Sequence, residues 1–416
     1  MASVSQPQPR TQEDASLVGL IATHAGTPSY VDQALRAVRA HLGMDVAFIS
    51  EFIDNERIFR HVDSATSRTP IHAGDKLSLD EGYCKKIVEG LIPSLIPDTS
   101  QLPQALAIAA THAIPIGAHL SVPLILQDGR LFGTFCCFSF AADPSLNERD
   151  LHFMRVFAEL VAHQLDRELN ALRRTEESRR NIQALLEEKQ PSIVFQPVVT
   201  FPDLRIRGAE ALSRFHTTPP RSPDRWFGEA RDVGLRVELE VQAIRNAFDA
   251  FAPVWARRPL HLALNASPQT IIEGNLPALF ASVPQHRLIL EITEHEHVED
   301  YDRLRAALEP LRRHGVKVAI DDAGSGYASM RHILNIVPDF IKLDVSLTRS
   351  IDRDQMRQAL ASALIAFGSQ TGSEIIAEGV ETKAELQTLS SLGVPAGQGY
   401  FMHRPMPAAD LLSCLG

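Results

Sequence analysis

The second half of the chain is a succession of short apolar runs, each closing on a polar side chain. RIRGAEAL brings Glu210, LHLALN brings Asn265, RLILEIT carries Glu291 with Glu294 beyond it, and VKVAIDD ends on Asp321 and Asp322. FIKLD then brings Lys342, EIIAEGVE brings Glu378 and Glu381, and GQGYF brings Gln398. Runs this short and β-rich predict strands buried on both faces. Helical stretches separate them, and strands that alternate with helices predict parallel crossovers. A closed (β/α)8 barrel gathers the polar groups at its strand ends around one mouth. A doubly wound open sheet would spread them along a line.

The first half is patterned differently. From about Leu17 to Gln164 a helix is followed by DVAFISEF, RIFRHV, a long irregular stretch, HLSVPLIL and LFGTFCCFSF, and a helix from near Asn147 closes the unit. The last two runs meet through QDGR, whose Asp128 and Gly129 predict a β-hairpin. Ahead of all this, some 15 polar residues with three Gln and two Pro are expected to be disordered. Between the halves, LVAHQLDRELNALRRTEESRRNIQALLEEKQP holds neither Gly nor Pro before Pro191. Val161, Leu165, Leu172, Ile182 and Leu186 fall near heptad positions, with Thr175 and Arg179 interrupting the seam. This stretch is either an amphipathic helix packed on its own domain or a parallel dimer helix.

Composition sets the limits. A chain of 416 residues with 44% apolar side chains holds two or three domains with substantial cores. A net charge of -10 argues against a general binder of nucleic acid polymers. No window of about 18 residues is free of charges and polar breaks, and MASVSQPQPRTQED has no apolar signal core, so the expected location is cytoplasmic, off the membrane. Cys84, Cys136, Cys137 and Cys414 show no paired zinc spacing and fit a reducing compartment. Cys136 and Cys137 are adjacent on an expected strand, point to opposite faces, and read as packing residues. Cys84 carries a redox or ligand role as the alternative to simple burial.

A lone Asp or Glu at a strand end is usually a solvated loop charge. The repetition changes that reading, because ionised groups are costly where strands leave a core unless something pairs with them. Hard oxygen donors suit Mg2+ or Mn2+, and the doublet Asp321 and Asp322 can serve two ions. Two ions about 3.5–4 Å apart can activate a water and stabilise both oxygens of an in-line displacement at phosphorus. Phosphodiester hydrolysis is the expected chemistry.

The motifs EALSRF at 210–215, FQP at 195–197, NAS at 265–267, EITE at 291–294, DDAGSGY at 321–327, KLD at 342–344, AEGVE at 377–381 and QGY at 398–400 together resemble the EAL domain. The resemblance implies a cyclic di-GMP phosphodiesterase from about Gln190 to the C-terminus. It also implies that Glu210, Asn265, Glu291 and Asp321 hold one ion and that Asp321, Asp322 and Glu378 hold a second. By the same resemblance Lys342 sits beside the attacking water, Arg214 and Gln196 meet the substrate, and Gln398 touches a ligand group or a water. Glu294 would brace the flexible loop after the sixth strand. Either Glu378 takes the proton of the water or the ions alone lower its pKa enough. The loop DDAGSGY departs from the usual family pattern: Ala323 stands for an aromatic residue and Ser325 for a threonine.

GLIPSLIPD, SVPLILQDGRLFGTFCCFS and NERDLHFMRVFAELVAHQL resemble a GAF domain, which implies a six-stranded antiparallel sheet, an α+β fold and a small-molecule ligand of unknown identity. His112 and His119 flank an apolar loop and are weighed as haem ligands against ordinary histidines, which burial statistics favour. The expected organisation is a tail at 1–16, a GAF sensor at 17–165, a helical linker at 166–189 and an EAL-type TIM barrel at 190–416, in a homodimer. The expected reaction linearises cyclic di-GMP to 5'-pGpG. The alternatives are a receptor that binds the dinucleotide without cutting it, or a sensor scaffold.

Overall fold

The computed structural model describes residues 29–415 apart from 67–68, 294–297, 299 and 324–326. The expected tail at 1–16, Glu294 and Ser325 therefore lie outside the described residues. The chain divides into two compact units, residues 1–175 and 176–416.

In the first unit, helix α1 (Tyr30–His41) starts on a capping box in which Ser29 and Asp32 satisfy each other's backbone N–H. Six strands follow: β1 (Val46–Ile53), β2 (Glu56–Ser64), β3 (Lys76–Ser78), β4 (Leu95–Ile96), β5 (Ala118–Ile125) and β6 (Leu131–Ser139). They form one antiparallel sheet in the order β3-β2-β1-β6-β5-β4. The β5–β6 hairpin turns at Gly129, whose φ of +82° is one that a side chain would disfavour. The short helix α2 (Tyr83–Val88) lies in the irregular stretch. One face of the sheet joins a core with Leu35, Ile49 and Cys137, and the other a core with Phe48, Phe59, Tyr83 and Cys136. The neighbouring cysteines thus part to opposite faces, as period-two alternation requires.

Helix α3 (Glu148–Glu187) runs for 40 residues. Its first half gives Met154, Val161, Leu165 and Leu169 to the core of the first unit. Its last turns give Ile182 and Leu185 to a cluster with Phe215, Trp226 and Leu239 in the second unit. Three of the five heptad residues, Val161, Leu165 and Ile182, are therefore buried within the chain's own cores. They are not on offer to a partner helix.

His112 follows the ordinary reading of an exposed or hydrogen-bonded histidine, whereas His119 departs from it, being buried with its Nδ1 without a hydrogen-bond partner among the described residues. His112 is exposed, with its ring nitrogen 2.9 Å from the Leu106 carbonyl. His119 is 2% exposed and stacks on Tyr83 at 4.4 Å between ring centroids. Burial, aided by the Arg57 charge, lowers its pKa from 6.5 to about 3. The unfolded chain binds the proton near 6.5 while the folded one stays neutral, so this contribution is whole above that pH and is lost as pH falls towards 3. Between pH 7 and pH 5 the first unit is expected to lose about 2 kcal/mol from this group. Urea melts at the two pH values check it against His119→Phe, which keeps a ring on Tyr83 and should flatten that difference.

The second unit is a closed eight-stranded barrel. Its strands are β7 (Ser192–Thr200), β8 (Ile206–Arg214), β9 (His261–Asn265), β10 (Leu288–Thr293), β11 (Lys317–Ala323), β12 (Phe340–Leu343), β13 (Glu374–Ala377) and β14 (Ala396–Gly397). From β8 to β14 every neighbouring pair is parallel. The expectation of parallel strands throughout fails at β7, which is antiparallel to both β8 and β14. The reason is local: a short turn, closed by Thr200 N–H donating to the Arg205 carbonyl at 2.9 Å, joins β7 directly to β8, and no crossover helix fits in it. Two helices that matter to the mouth follow β8, α4 (Pro223–Asp232) and α5 (Arg236–Trp255). Inside the barrel, Val198, Ala263, Ile289, Ala319, Phe340, Ile376 and Ala396 pack as one apolar layer.

Candidate metal centre

Side chains on one face of a strand recur every second residue. Two positions on from that apolar layer, β9 to β14 supply Asn265, Glu291, Asp321, Lys342, Glu378 and Gln398 in order. On β7 the chain runs the other way, so the matching residue comes two positions before Val198, and it is Gln196, paired in register with Glu210 on β8. The polar strand ends read from the sequence thus form one ring above an apolar floor.

Lys342 is at its centre. With 1% of its side chain exposed, its Nζ lies 2.8 Å from Glu291 Oε2, 2.8 Å from Glu378 Oε1, 3.0 Å from Asp321 Oδ1 and 3.4 Å from Glu210 Oε2. Gln398 Nε2 donates to Glu210 Oε2 at 2.6 Å and to Glu378 Oε1 at 2.9 Å. Asn265 Nδ2 donates to Glu210 Oε1 at 2.9 Å, which turns its carbonyl oxygen away from that carboxylate. Glu381, in the same run as Glu378, pairs with the exposed Arg349 instead.

Two triads of carboxylate oxygens each gather within 4.8 Å, Glu210 with Glu291 and Asp321, and Asp321 with Asp322 and Glu378. Adjacent strand residues ordinarily face opposite ways, so the second triad needs an irregularity. It is present: pairing of β11 with β12 shifts register between Ile320 and Ala323, and Asp322 adopts a φ of +57°. A non-glycine residue held in the left-handed region stores strain, and such residues cluster at functional sites.

Charge makes the arrangement incomplete by itself. Burial, and then repulsion from Glu210 and Asp321 against the pull of Lys342, pushes Glu291 well above the usual carboxylate range. Glu378 is pushed well up in the same way. Glu210 feels the same burial, but Lys342 and the amides of Gln398 and Asn265 hold its carboxyl below the ordinary value. Burial opposes the ammonium of Lys342, yet the surrounding acids hold it well above the usual lysine range. Were all five carboxylates ionised against the one ammonium, four negative charges would be left over, the charge that two divalent cations would cancel; the upward shifts of Glu291 and Glu378 reflect how poorly the ring holds that charge by itself. The donors are oxygen atoms, as Mg2+ or Mn2+ requires, and the buried Gln398 Oε1 is without a hydrogen-bond partner. The residues fit a pair of such ions.

Above the ring opens a cavity of about 710 Å³, lined by Gln196, Arg214, Asn265, Asp322 and Tyr400 among others. Arg214 is half-buried, its Nη1 donating to the Ser213 carbonyl at 2.8 Å. Gln196 is buried, its Nε2 3.4 Å from the His403 carbonyl. Sequence reading missed two contributors. Glu240 on α5 accepts both the N–H and the hydroxyl of Ser267 at 2.8 Å, pinning the turn that carries Asn265. An acid inside the helical run LEVQAIRNAF was the available signal. Tyr400 offers an exposed ring to the cavity, with the Arg404 guanidinium 4.4 Å from its centroid.

The chain is similar to known proteins over both of its units. Residues 28–166 match the GAF domain family and residues 179–405 the EAL domain family. The bifunctional diguanylate cyclase/cyclic di-GMP phosphodiesterase MucR of Pseudomonas aeruginosa is 30% identical over 244 residues, which is 56% of this chain and 36% of MucR. The probable cyclic di-GMP phosphodiesterase PdeD of Escherichia coli is 32% identical over 240 residues, 56% of this chain and 44% of PdeD. The chain spans about a third to a half of the length of the curated relatives it matches. A solved PaMucR phosphodiesterase in complex with c-di-GMP superposes with a TM-score of 0.51 at 29% identity, covering 56% of this chain and 99% of that one. With more than half of its length matched, and with its barrel and ring of acids in place, the chain belongs to the EAL domain family.

Proposed function

We propose that the chain hydrolyses cyclic di-GMP to linear 5'-pGpG with two divalent cations, Mg2+ or Mn2+, under the control of its GAF domain. The observation that carries this reading is the pair of carboxylate triads, Glu210 with Glu291 and Asp321, and Asp321 with Asp322 and Glu378, each gathered within 4.8 Å beside a cavity of about 710 Å³. Glu210, Asn265, Glu291 and Asp321 hold one ion, and Asp321, Asp322 and Glu378 the other. Bound there, the pair would supply an activated water and a counter-charge for the phosphate.

The side chains account for the rest. Arg214 forks onto phosphate oxygens. Gln196 meets the substrate from β7, and the Tyr400 ring takes a guanine face. Lys342 offsets the charge that grows on the phosphate in the transition state. Glu378 is the candidate to accept a proton from the water; Gln398 holds Glu378 and Glu210 in place. The GAF domain binds a small molecule and sets the rate, and Glu294, which lies outside the described residues, is assigned to bracing the flexible loop after the sixth strand. In that reading the working unit is a homodimer.

Incubating the full chain with cyclic di-GMP and Mn2+, followed by chromatography, tests the proposal. The expected result is 5'-pGpG as the product. Nucleotide that is bound but unchanged would make the chain a receptor, and absence of binding would leave it a scaffold.

A further inference from the structure

The first unit carries a buried polar cluster that the barrel chemistry does not use. Arg57 on β2 is 5% exposed. Its guanidinium carbon lies 4.8 Å from the Phe59 ring centroid and 5.9 Å from that of Phe48. Among the described residues no carboxylate forms an ion pair with it, and its Nε is without a hydrogen-bond partner. The polar atom it reaches is sulfur: Nη1 donates to Cys84 Sγ at 3.1 Å. The chain makes room for this contact at Gly82, where a Cβ would stand 2.6 Å from Nη1. A buried cation needs an anion. The Cys84 thiolate is the group in position to be one.

A second sulfur faces the first. Cys136 Sγ on β6 is 3.5 Å from Cys84 Sγ, held by the Ser121 hydroxyl at 3.0 Å and by Thr134 Oγ1 at 3.2 Å. Both are free thiols, buried at 1% and 0% exposure. Burial alone would raise the Cys84 thiol, but the Cys136 S–H and the Arg57 charge overturn that and hold it well below the usual range. Cys136 beside it is pushed well up, as is Cys137 on the other face. One sulfur is thus fitted to attack and its neighbour to stay protonated until it is needed.

We propose that Cys84 and Cys136 form a hydroperoxide-sensitive thiol pair in the GAF domain. The Cys84 thiolate attacks a peroxide oxygen, the O–O bond breaks, and hydroxide leaves, so that sulfur is oxidised by two electrons to sulfenic acid. The Cys136 sulfur then attacks Cys84, the S–O bond breaks, and the Cys136 proton departs with the hydroxyl as water. The disulfide that results draws α2 towards β6, since bonded sulfurs lie about 2 Å apart. It also strips Arg57 of its anion. The peroxide is small and uncharged, which suits a thiolate with no open face.

The test treats the reduced full chain with hydrogen peroxide and maps its peptides by mass spectrometry, so it reads neither turnover nor nucleotide. The expected product links the peptides of Cys84 and Cys136 with loss of two hydrogen atoms and reverts with dithiothreitol. Cys136→Ser should halt at a Cys84 sulfenic acid that dimedone traps. Arg57→Gln, checked for folding by circular dichroism, should slow the linkage about tenfold, one pKa unit of thiolate. Oxidation of the exposed Cys414 while both buried thiols stay intact would overturn the proposal, and so would an Arg57→Gln chain that reacts at the wild-type rate.

Discussion

In the proposed phosphodiesterase, Asp321→Asn is expected to lower the turnover of cyclic di-GMP by about 10³. No other side chain belongs to both carboxylate triads, so its loss weakens both candidate ion sites at once. The neighbouring residues give a scale. Glu291→Gln or Asp322→Asn touches one triad each and should cost less. The substitution also removes a negative charge from a crowded ring, so the chain without ions should melt no lower than the wild type. Steady-state rates over a Mn2+ titration, with melting curves in chelator, separate catalysis from folding. Activity above a tenth of the wild type would show that Asp321 is not shared between two working ions.

Lys342→Met should be costly in a different way. The ammonium lies within 3.4 Å of four carboxylates and is almost wholly buried. Removing one member of a buried charge network leaves the others uncompensated, at about 3–5 kcal/mol. Methionine keeps most of the volume, so the loss is electrostatic. The expected signature is a fall in urea midpoint that is large in chelator and smaller in Mg2+, because added cations replace the lost charge. In the proposed reaction turnover should fall as well, by about 10² or more, since the counter-charge assigned to the ammonium would be gone. Equal stability of variant and wild type in chelator would remove Lys342 from the charge balance of the ring.

These effects follow from a site that was largely written in the chain. Polar residues that close one short apolar run after another mark strand ends, and the recurrence of that pattern singles out Glu210, Asn265, Glu291, Asp321, Lys342, Glu378 and Gln398 in the sequence itself. Period two says nothing about direction, however. FQP on β7 alternates as well backwards as forwards, and its antiparallel course follows from a turn too short for a helix. Nor does alternation allow Asp321 and Asp322 to act together; the register shift and the φ of Asp322 do that, and neither leaves a trace in residue type. Glu240 was hidden because one acid in an amphipathic helix looks like solvent-facing charge until its partner Ser267 is seen. The heptad pattern of α3 left two readings open, because hydrophobic spacing shows that a face is buried and does not say what covers it. Here Val161 and Ile182 are covered by two different cores of the same chain.

The strict two-residue offset between the apolar floor and the ring has a bearing on how such barrels tolerate change in length. A lone codon gained or lost inside β12, between Phe340 and Lys342, would turn the ammonium outward and send a leucine or isoleucine into its place. Paired gains would preserve facing but lift the cation by a pleat. An insertion in a loop or helix leaves that facing intact, so length changes are expected to be tolerated there and not within the strands.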